Sequence, residues 1–202
     1  VIVVEGDSLS KNISKILSYV YEEHEGFNEG FAPIKSGNLW GYIDLTLKVV
    51  LSPKYNEVFP VSEGFSLGKK EGKYYYWKMT GTARSQWNDS GYEEALPFCN
   101  GRALVKRNSL YGFLSNTVKN KEDIPCQYED AFSFDACYPY AVVKVNGKYG
   151  MINKSGNTVI EPMFDTYSTD DRYDFNRKCY YNATIGDEYY KLKPDGTYEE
   201  VV

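Results

Sequence analysis

Five aromatic residues set out a repeat. Trp40, Tyr74, Tyr111, Tyr149 and Tyr189 follow one another at intervals of 34, 37, 38 and 40 residues. Their surroundings match as well. The next residue is Gly41, Gly112 or Gly150, replaced by Tyr75 and Tyr190 in the second and fifth copies. Two strand-forming residues come after it: Tyr42 and Ile43, Tyr76 and Trp77, Phe113 and Leu114, Met151 and Ile152, Lys191 and Leu192. A turn glycine recurs as Gly81, Gly156 and Gly196, with Leu47 and Val118 in the other two places. Eight residues before the anchor stands a small residue, Ala32, Ser66, Ala103 or Ala141, with Tyr181 as the exception. Five before it stands Lys35, Lys69, Lys106 or Lys144, with Thr184 as the exception. Fifteen after it comes Tyr55 or Phe164, while Tyr128 and Tyr92 arrive two and three residues late. Self-similarity at such a period decides the fold class before any single motif does.

One copy shows what each unit is. Lys148 to Asn153 is a short run with β propensity. Lys154, Ser155, Gly156 and Asn157 supply turn chemistry, with Gly156 free to take positive φ. Thr158 to Ile160 is a return strand, and Pro162, which has no N–H for a ladder, belongs at an edge or just past it. The unit is a hairpin.

These residues resemble the WG repeat family, also called KWG repeats. Its pattern is a Glu-Gly-Leu-Ala-like run, Lys-Trp-Gly-Tyr-Ile-Asp, a Lys-Thr-Gly-Lys turn and a Val-Ile-Pro-Pro-x-Tyr run. Trp40 to Asp44 with Val49 to Tyr55 is the copy most like it, and Tyr149 to Phe164 the next. The second copy departs most: Tyr75 replaces the glycine and Trp87 stands near the proline's place. The resemblance covers residues 16 to 198. It implies structural or binding units with no general enzymatic activity.

The reading is therefore an all-β chain, a tandem array of β-hairpin or three-stranded units in one repeat domain. Residues 31–61, 62–98, 99–137 and 138–175 are full units; 1–30 and 176–202 are partial ones. Leu9, Ile13, Ile16, Leu17 and Val20 also fit a helix capped by Asp7 or Ser8. From Ile16 onward the repeat alignment is preferred, leaving a short helix over 8–15. Partial units at both ends suit an open array with atypical caps; the alternative is a propeller-like ring of about five units closed by the two halves. Residues 83–91, polar apart from Trp87, are expected to be irregular, and 116–123 forms a longer polar turn.

Charge and composition narrow the function. Twenty tyrosines and ten phenylalanines in 202 residues suit a β-sheet protein. A net charge of -5 with scattered lysines argues against a nucleic-acid surface. No apolar run is long enough to cross a membrane, so no membrane insertion is expected. A bacterial compartment, cytoplasmic or exported, is left open. One histidine and no CxxC spacing among four cysteines predict no metal, and no organic cofactor is expected. Cys99 and Cys137 share a register that neighbouring copies could bring together as a disulfide; otherwise the cysteines are small buried hydrophobes.

Three candidate sites remain. Val3 to Ser10 resembles the first block of GDSL (SGNH) hydrolases, with Ser8 as nucleophile. The only histidine, His24, sits in an acidic run, and the family's late Asp-x-x-His block has no counterpart. The plain reading is a turn after a strand. The anchor aromatics either stack unit on unit or line an exposed face. The aromatic excess of Tyr74, Tyr75, Tyr76, Trp77 and Trp87 is the leading binding candidate. The expected function is a non-catalytic module that binds another protein through an extended face. The alternatives are a carbohydrate or cell-wall module using exposed aromatics and, behind it, an esterase centred on Ser8.

Overall fold

The computed structural model describes residues 26–80, 83–134, 139–169 and 181–201. The hydrolase-like block around Ser8, the short helix, residues 1–25 of the early half-unit, His24, Cys137 and Cys179 lie outside the described residues. Among those described, every regular element is a β-strand, and the strands form five antiparallel sheets. The chain packs as two compact units, Val1–Gly91 and Tyr92–Val202.

The first unit holds two sheets. β1 (Phe31–Ser36), β2 (Leu39–Asp44) and β3 (Val49–Tyr55) make the first. β4 (Glu57–Ser62), β5 (Phe65–Lys70), β6 (Lys73–Thr80) and β7 (Ala83–Gln86) make the second. The second unit holds three. β8 (Glu94–Ala95), β9 (Arg102–Arg107), β10 (Leu110–Ser115) and β11 (Glu122–Tyr128) are the third sheet. β12 (Asp130–Ala131), β13 (Tyr140–Val145), β14 (Lys148–Asn153) and β15 (Thr158–Phe164) are the fourth. β16 (Thr166–Thr169), β17 (Tyr181–Ile185), β18 (Glu188–Leu192) and β19 (Tyr198–Val201) are the fifth. Each is an open meander in chain order. The four later sheets begin at Glu57, Glu94, Asp130 and Thr166, ahead of the unit boundaries read from sequence. The strand at the end of each sequence unit is in fact the first strand of the next sheet.

The family's glycine is explained by a bulge. In the first sheet Trp40 faces Tyr55 and Tyr42 faces Leu51, so Gly41 stands opposite three residues, Ser52 to Lys54. The same register break lies opposite Gly112 and Gly150. The extra residues fold in against the glycine. A Cβ on Gly150 would lie 2.5 Å from the Ile160 oxygen and 2.7 Å from the Pro162 nitrogen. Pro162 is thus inside β15, at the bulge, where its missing N–H does no harm. The two copies without the glycine have no bulge at its place. Tyr75 and Tyr190 lie in strands that pair in regular register with β7 and β19. The expected irregular stretch is therefore half ordered: 83–86 is a strand. Beyond it Asn88, buried, uses its side-chain amide to accept from the Tyr76 N–H at 2.7 Å and to donate to the Ser90 carbonyl at 3.0 Å.

Within each unit, neighbouring sheets share cores. Tyr42, Leu51 and Tyr55 of the first sheet pack on Val61, Trp77 and Met79 of the second. In the second unit Leu104, Phe113 and Ile124 meet Phe134, Ala141, Val143 and Ile152. Val142, Met151, Ile160 and Phe164 then meet Tyr181, Ala183 and Leu192. The fourth sheet is buried on both faces, which is why β13 reads as the unbroken run Ala141, Val142, Val143 rather than alternating. Within this unit the sheets stack in chain order as an open array.

Acidic residues fasten the hairpin turns. Glu93 accepts from the N–H groups of Asn108 and Ser109 at 3.1 and 3.0 Å, both residues at positive φ. Glu129 and Asp165 do the same for Gly147 and Gly186, each at 2.9 Å. The expected Cys99–Cys137 bridge lies outside the described residues, as Cys137 does; Cys99 is bridged through its backbone to Arg102 in a tight turn. Cys126 is a free thiol, and burial pushes it up to about 11, keeping it protonated.

Two buried tyrosines of the first unit make opposite predictions. The Tyr42 hydroxyl donates to the Phe59 carbonyl and lies 3.2 Å from that of Leu67, tying the first sheet to the second. The Tyr55 hydroxyl is buried without a partner, and the fourth copy carries Phe164 at its place. Burial raises both phenols well above their usual range. Tyr42→Phe should cost about 1 kcal/mol, the net worth of a typical hydrogen bond. Tyr55→Phe should leave urea stability unchanged or raise it, and a loss equal to that of Tyr42→Phe would refute the assignment.

Candidate binding surface

The five aromatic candidates separate by strand face. β6 carries Tyr74, Tyr75, Tyr76 and Trp77 in succession. Tyr76 is 0% exposed and Trp77 is 9% exposed, its ring 4.7 Å from that of Tyr55 in the first unit's core. Trp87 is 7% exposed, with its ring 5.0 Å from Phe65 edge-on and Lys78 over it. These three are packing residues and present no open face to a ligand. Tyr74 and Tyr75 are half-buried. Tyr75 lies against Gly91, where it leaves no room for a Cβ. The aromatic excess of the second copy thus fills the interior of a sheet that lacks the bulge, with only Tyr74 and Tyr75 reaching the surface.

Tyr74 belongs to a constellation that the sequence showed only in part. Lys69 stands over its ring at 4.9 Å, and its hydroxyl lies 3.5 Å from Glu57. In the third sheet Lys106 stands 4.7 Å over Tyr111, and the Tyr111 hydroxyl donates to Glu94 at 2.7 Å. In the fourth, Lys144 stands 5.0 Å over Tyr149, whose hydroxyl donates to Asp130 at 2.9 Å. Lys35 covers Trp40 at 5.2 Å in the first sheet. Strand register produces this: Glu94 faces Lys106 and Lys106 faces Tyr111 across β8, β9 and β10. Asp130, Lys144 and Tyr149 do the same across β12, β13 and β14. Lysine and anchor tyrosine were visible as fixed offsets. The acid was missed because its strand lies beyond the previous copy's bulge, where spacing drifts.

The rows are charge-compensated. Lys106 and Tyr111 hold the Glu94 carboxyl below its usual range, while Glu94 raises the Lys106 ammonium. Burial, with help from the acid, raises the Tyr111 and Tyr149 phenols. Glu94 is therefore anionic, Lys106 cationic and the Tyr111 and Tyr149 phenols neutral at neutral pH. These rows offer aromatic edges, the Lys106–Glu94 ion pair of the third sheet and the Asp130 carboxylate of the fourth. The described residues contain no cluster of three or more His, Cys, Asp or Glu side chains placed to hold a metal.

The fifth sheet replaces this chemistry. Thr166 and Thr184 bond through their hydroxyls at 2.7 Å where the acid and lysine stood, and Tyr189 beside them is 63% exposed. Across the same face Ser168, Asn182, Lys191 and Glu199 stand opposite one another. The corresponding fourth-sheet row, Val142, Met151 and Ile160, is buried and apolar. This face of the fifth sheet is polar where that of the fourth is apolar.

Comparisons with known proteins bear on these features. A family model described as WG containing repeat matches residues 15–40, 40–74, 114–149 and 149–170, together more than half of the chain. Comparison with curated proteins gave no match. Among solved structures, Hsv2p of Kluyveromyces lactis is similar over 86% of this chain and 61% of its own, at 9% identity and a TM-score of 0.46. Hsv2 of Kluyveromyces marxianus is similar over 83% of this chain and 56% of its own, at 8% identity and a TM-score of 0.36. The chain thus spans less than two thirds of the length of either.

Proposed function

The chain belongs to the family of WG-containing repeat proteins, and from that membership we propose that it is a non-catalytic module binding another protein through the face that carries the Lys, aromatic and acid rows. The supporting observation is the recurrence of one row on the third sheet and one on the fourth, Glu94, Lys106, Tyr111 and then Asp130, Lys144, Tyr149. Strand pairing does not dictate an acid and a lysine here, since the fifth sheet carries Thr166 and Thr184 at the corresponding positions. Aromatic residues are enriched at interface centres, and lysines and acids such as these suit the polar rim around them.

The test starts from partner capture by cross-linking in host extract. The recovered protein is then purified and titrated calorimetrically against wild type and a Lys144→Ala, Tyr149→Ala double variant. A loss of affinity of at least tenfold at unchanged fold is expected. Equal affinity would refute the assigned face. Hydrolysis of a p-nitrophenyl ester that disappears in Ser8→Ala would refute the non-catalytic reading. A second reading, carbohydrate binding, is favoured by Tyr189, an exposed ring among the hydroxyls of Thr166 and Thr184. Glycan-array binding lost in Tyr189→Ala, with no protein partner captured, would replace the first reading by this one.

A further inference from the structure

The groove between the fourth and fifth sheets is filled by a tyrosine. Tyr167 of β16 lies with its ring 4.5 Å from Phe132 and 6.2 Å from Tyr149. The groove between the third and fourth sheets has the same parts in the same register. Tyr111 takes the place of Tyr149. Leu96, whose N–H donates to Leu104, takes that of Phe132, whose N–H donates to Val142. Ala131, facing Val143, takes the place of Tyr167, facing Ala183. Loss of the ring leaves a hollow of about 150 Å³ lined by Glu94, Leu96, Leu104, Val105, Tyr111 and Ala131. That is the size of an apolar cavity that accepts one benzene ring.

We propose that this hollow receives the aromatic side chain, Tyr or Phe, of a partner polypeptide, in the place that Tyr167 fills one sheet further on. The inference rests on the protein-binding reading and names its anchor. Charge supports an uncharged ring. Glu94 in the lining is already paired with the Lys106 ammonium at 2.7 Å and accepts from Tyr111 at 2.7 Å, so its charge is compensated and a second cation gains little there. The walls are apolar, and Leu96 is 44% exposed at the rim, an open surface of the kind a partner covers. A free ring of this size has too little apolar area to remain bound at low concentration. Stable occupancy needs flanking contacts, and a polypeptide laid along the adjoining rows would supply them. The internal example points the same way, since Tyr167 is delivered by a strand at the sheet's edge.

The test uses the full chain and two probes. The first is p-cresol, the tyrosine side-chain analogue, titrated into ¹⁵N-labelled protein. Saturable shifts centred on the amides of Ala95, Leu96 and Ala131 are expected, with affinity in the millimolar range, about 1–10 mM for so small a ligand. Ala131→Tyr, which restores the filled groove, should abolish them, and Leu96→Glu should weaken them at least tenfold. Should Ala131→Tyr fail to fold, Leu96→Glu decides. The second probe is a phage-displayed peptide library. Enriched peptides should carry an aromatic residue whose change to Ala weakens binding at least tenfold and which competes with p-cresol. No saturable shift at those amides would overturn the hollow as a site, while leaving the Lys144 and Tyr149 test of protein binding intact. Saturable p-cresol shifts with no aromatic peptide enriched would overturn the polypeptide occupant.

Discussion

Gly150→Ala should destabilise the chain by about 3 kcal/mol, near the top of the range for overpacking a filled site. The added Cβ would stand 2.5 Å from the Ile160 carbonyl oxygen, 2.7 Å from the Pro162 nitrogen and 2.9 Å from the Pro162 Cα. All three are backbone atoms of the bulge, so no side chain can rotate out of the way. Relief requires the bulge to unfold, and with it the pairing of Tyr149 with Phe164 and of Met151 with Ile160. For a chain of this length the loss corresponds to a fall in Tm of roughly 6–12 °C, at about 2–4 °C per kcal/mol. Gly156→Ala is the internal comparison. Gly156 has φ +81 but meets only the Ile124 side chain, at 3.4 Å. Its cost is backbone strain alone, about 1–2 kcal/mol. Equal effects at the two positions, or a Gly150→Ala variant within 0.5 kcal/mol of wild type, would show that close approach does not explain the glycine.

This glycine shows how the sequence carried the fold. Anchor, glycine and trailing proline were legible as offsets, and so were the hairpins, because each reports a local backbone requirement. The bulge joining glycine to proline was not legible. It depends on two strands meeting, and only the register of Gly41, Gly112 and Gly150 against their partners reveals it. Once seen, it explains the irregular copies. Where Tyr75 and Tyr190 replace glycine, the strands pair without a bulge. The family model leaves residues 75–113 unmatched, a stretch that begins at Tyr75.

The candidate site was half legible for a related reason. Lysine five residues before an aromatic is a hairpin relation, fixed by a two-residue turn such as Asn146 and Gly147 at φ 50 and 76. The acid of each row comes from a strand joined through a connection whose length varies from copy to copy, so no constant offset marks it. Trp77 and Trp87 misled in the opposite direction. Their departure from the consensus points to a binding surface, whereas their rings fill packing positions in the second sheet. The hollow beside Leu96 carried no sequence signal at all, because it is defined by an alanine where another copy has Tyr167.

Phe134→Ala should cost about 3–5 kcal/mol, the range for truncating a buried aromatic ring. Phe134 is fully buried, with its ring edge-on to Phe113 at 5.0 Å. It follows β12 in the chain, yet the ring it touches belongs to β10 of the preceding sheet. The residue therefore couples two sheets whose backbones share no ladder. Val61 takes the corresponding place in the first unit, where it joins the second sheet to the Tyr42 and Leu51 cluster of the first. Small meanders rarely persist alone in water, and in stacked repeats most of the stability resides at contacts between neighbours. Removing the ring should accordingly loosen both partners. Amide hydrogen exchange should lose protection in β9 and β10 as well as in β13 and β14, with opening free energies falling by similar amounts on the two sides. An effect confined to β12–β15, or a total cost below 1 kcal/mol, would mean that each sheet is held by its own strands and that stacking is a consequence of the fold rather than its source.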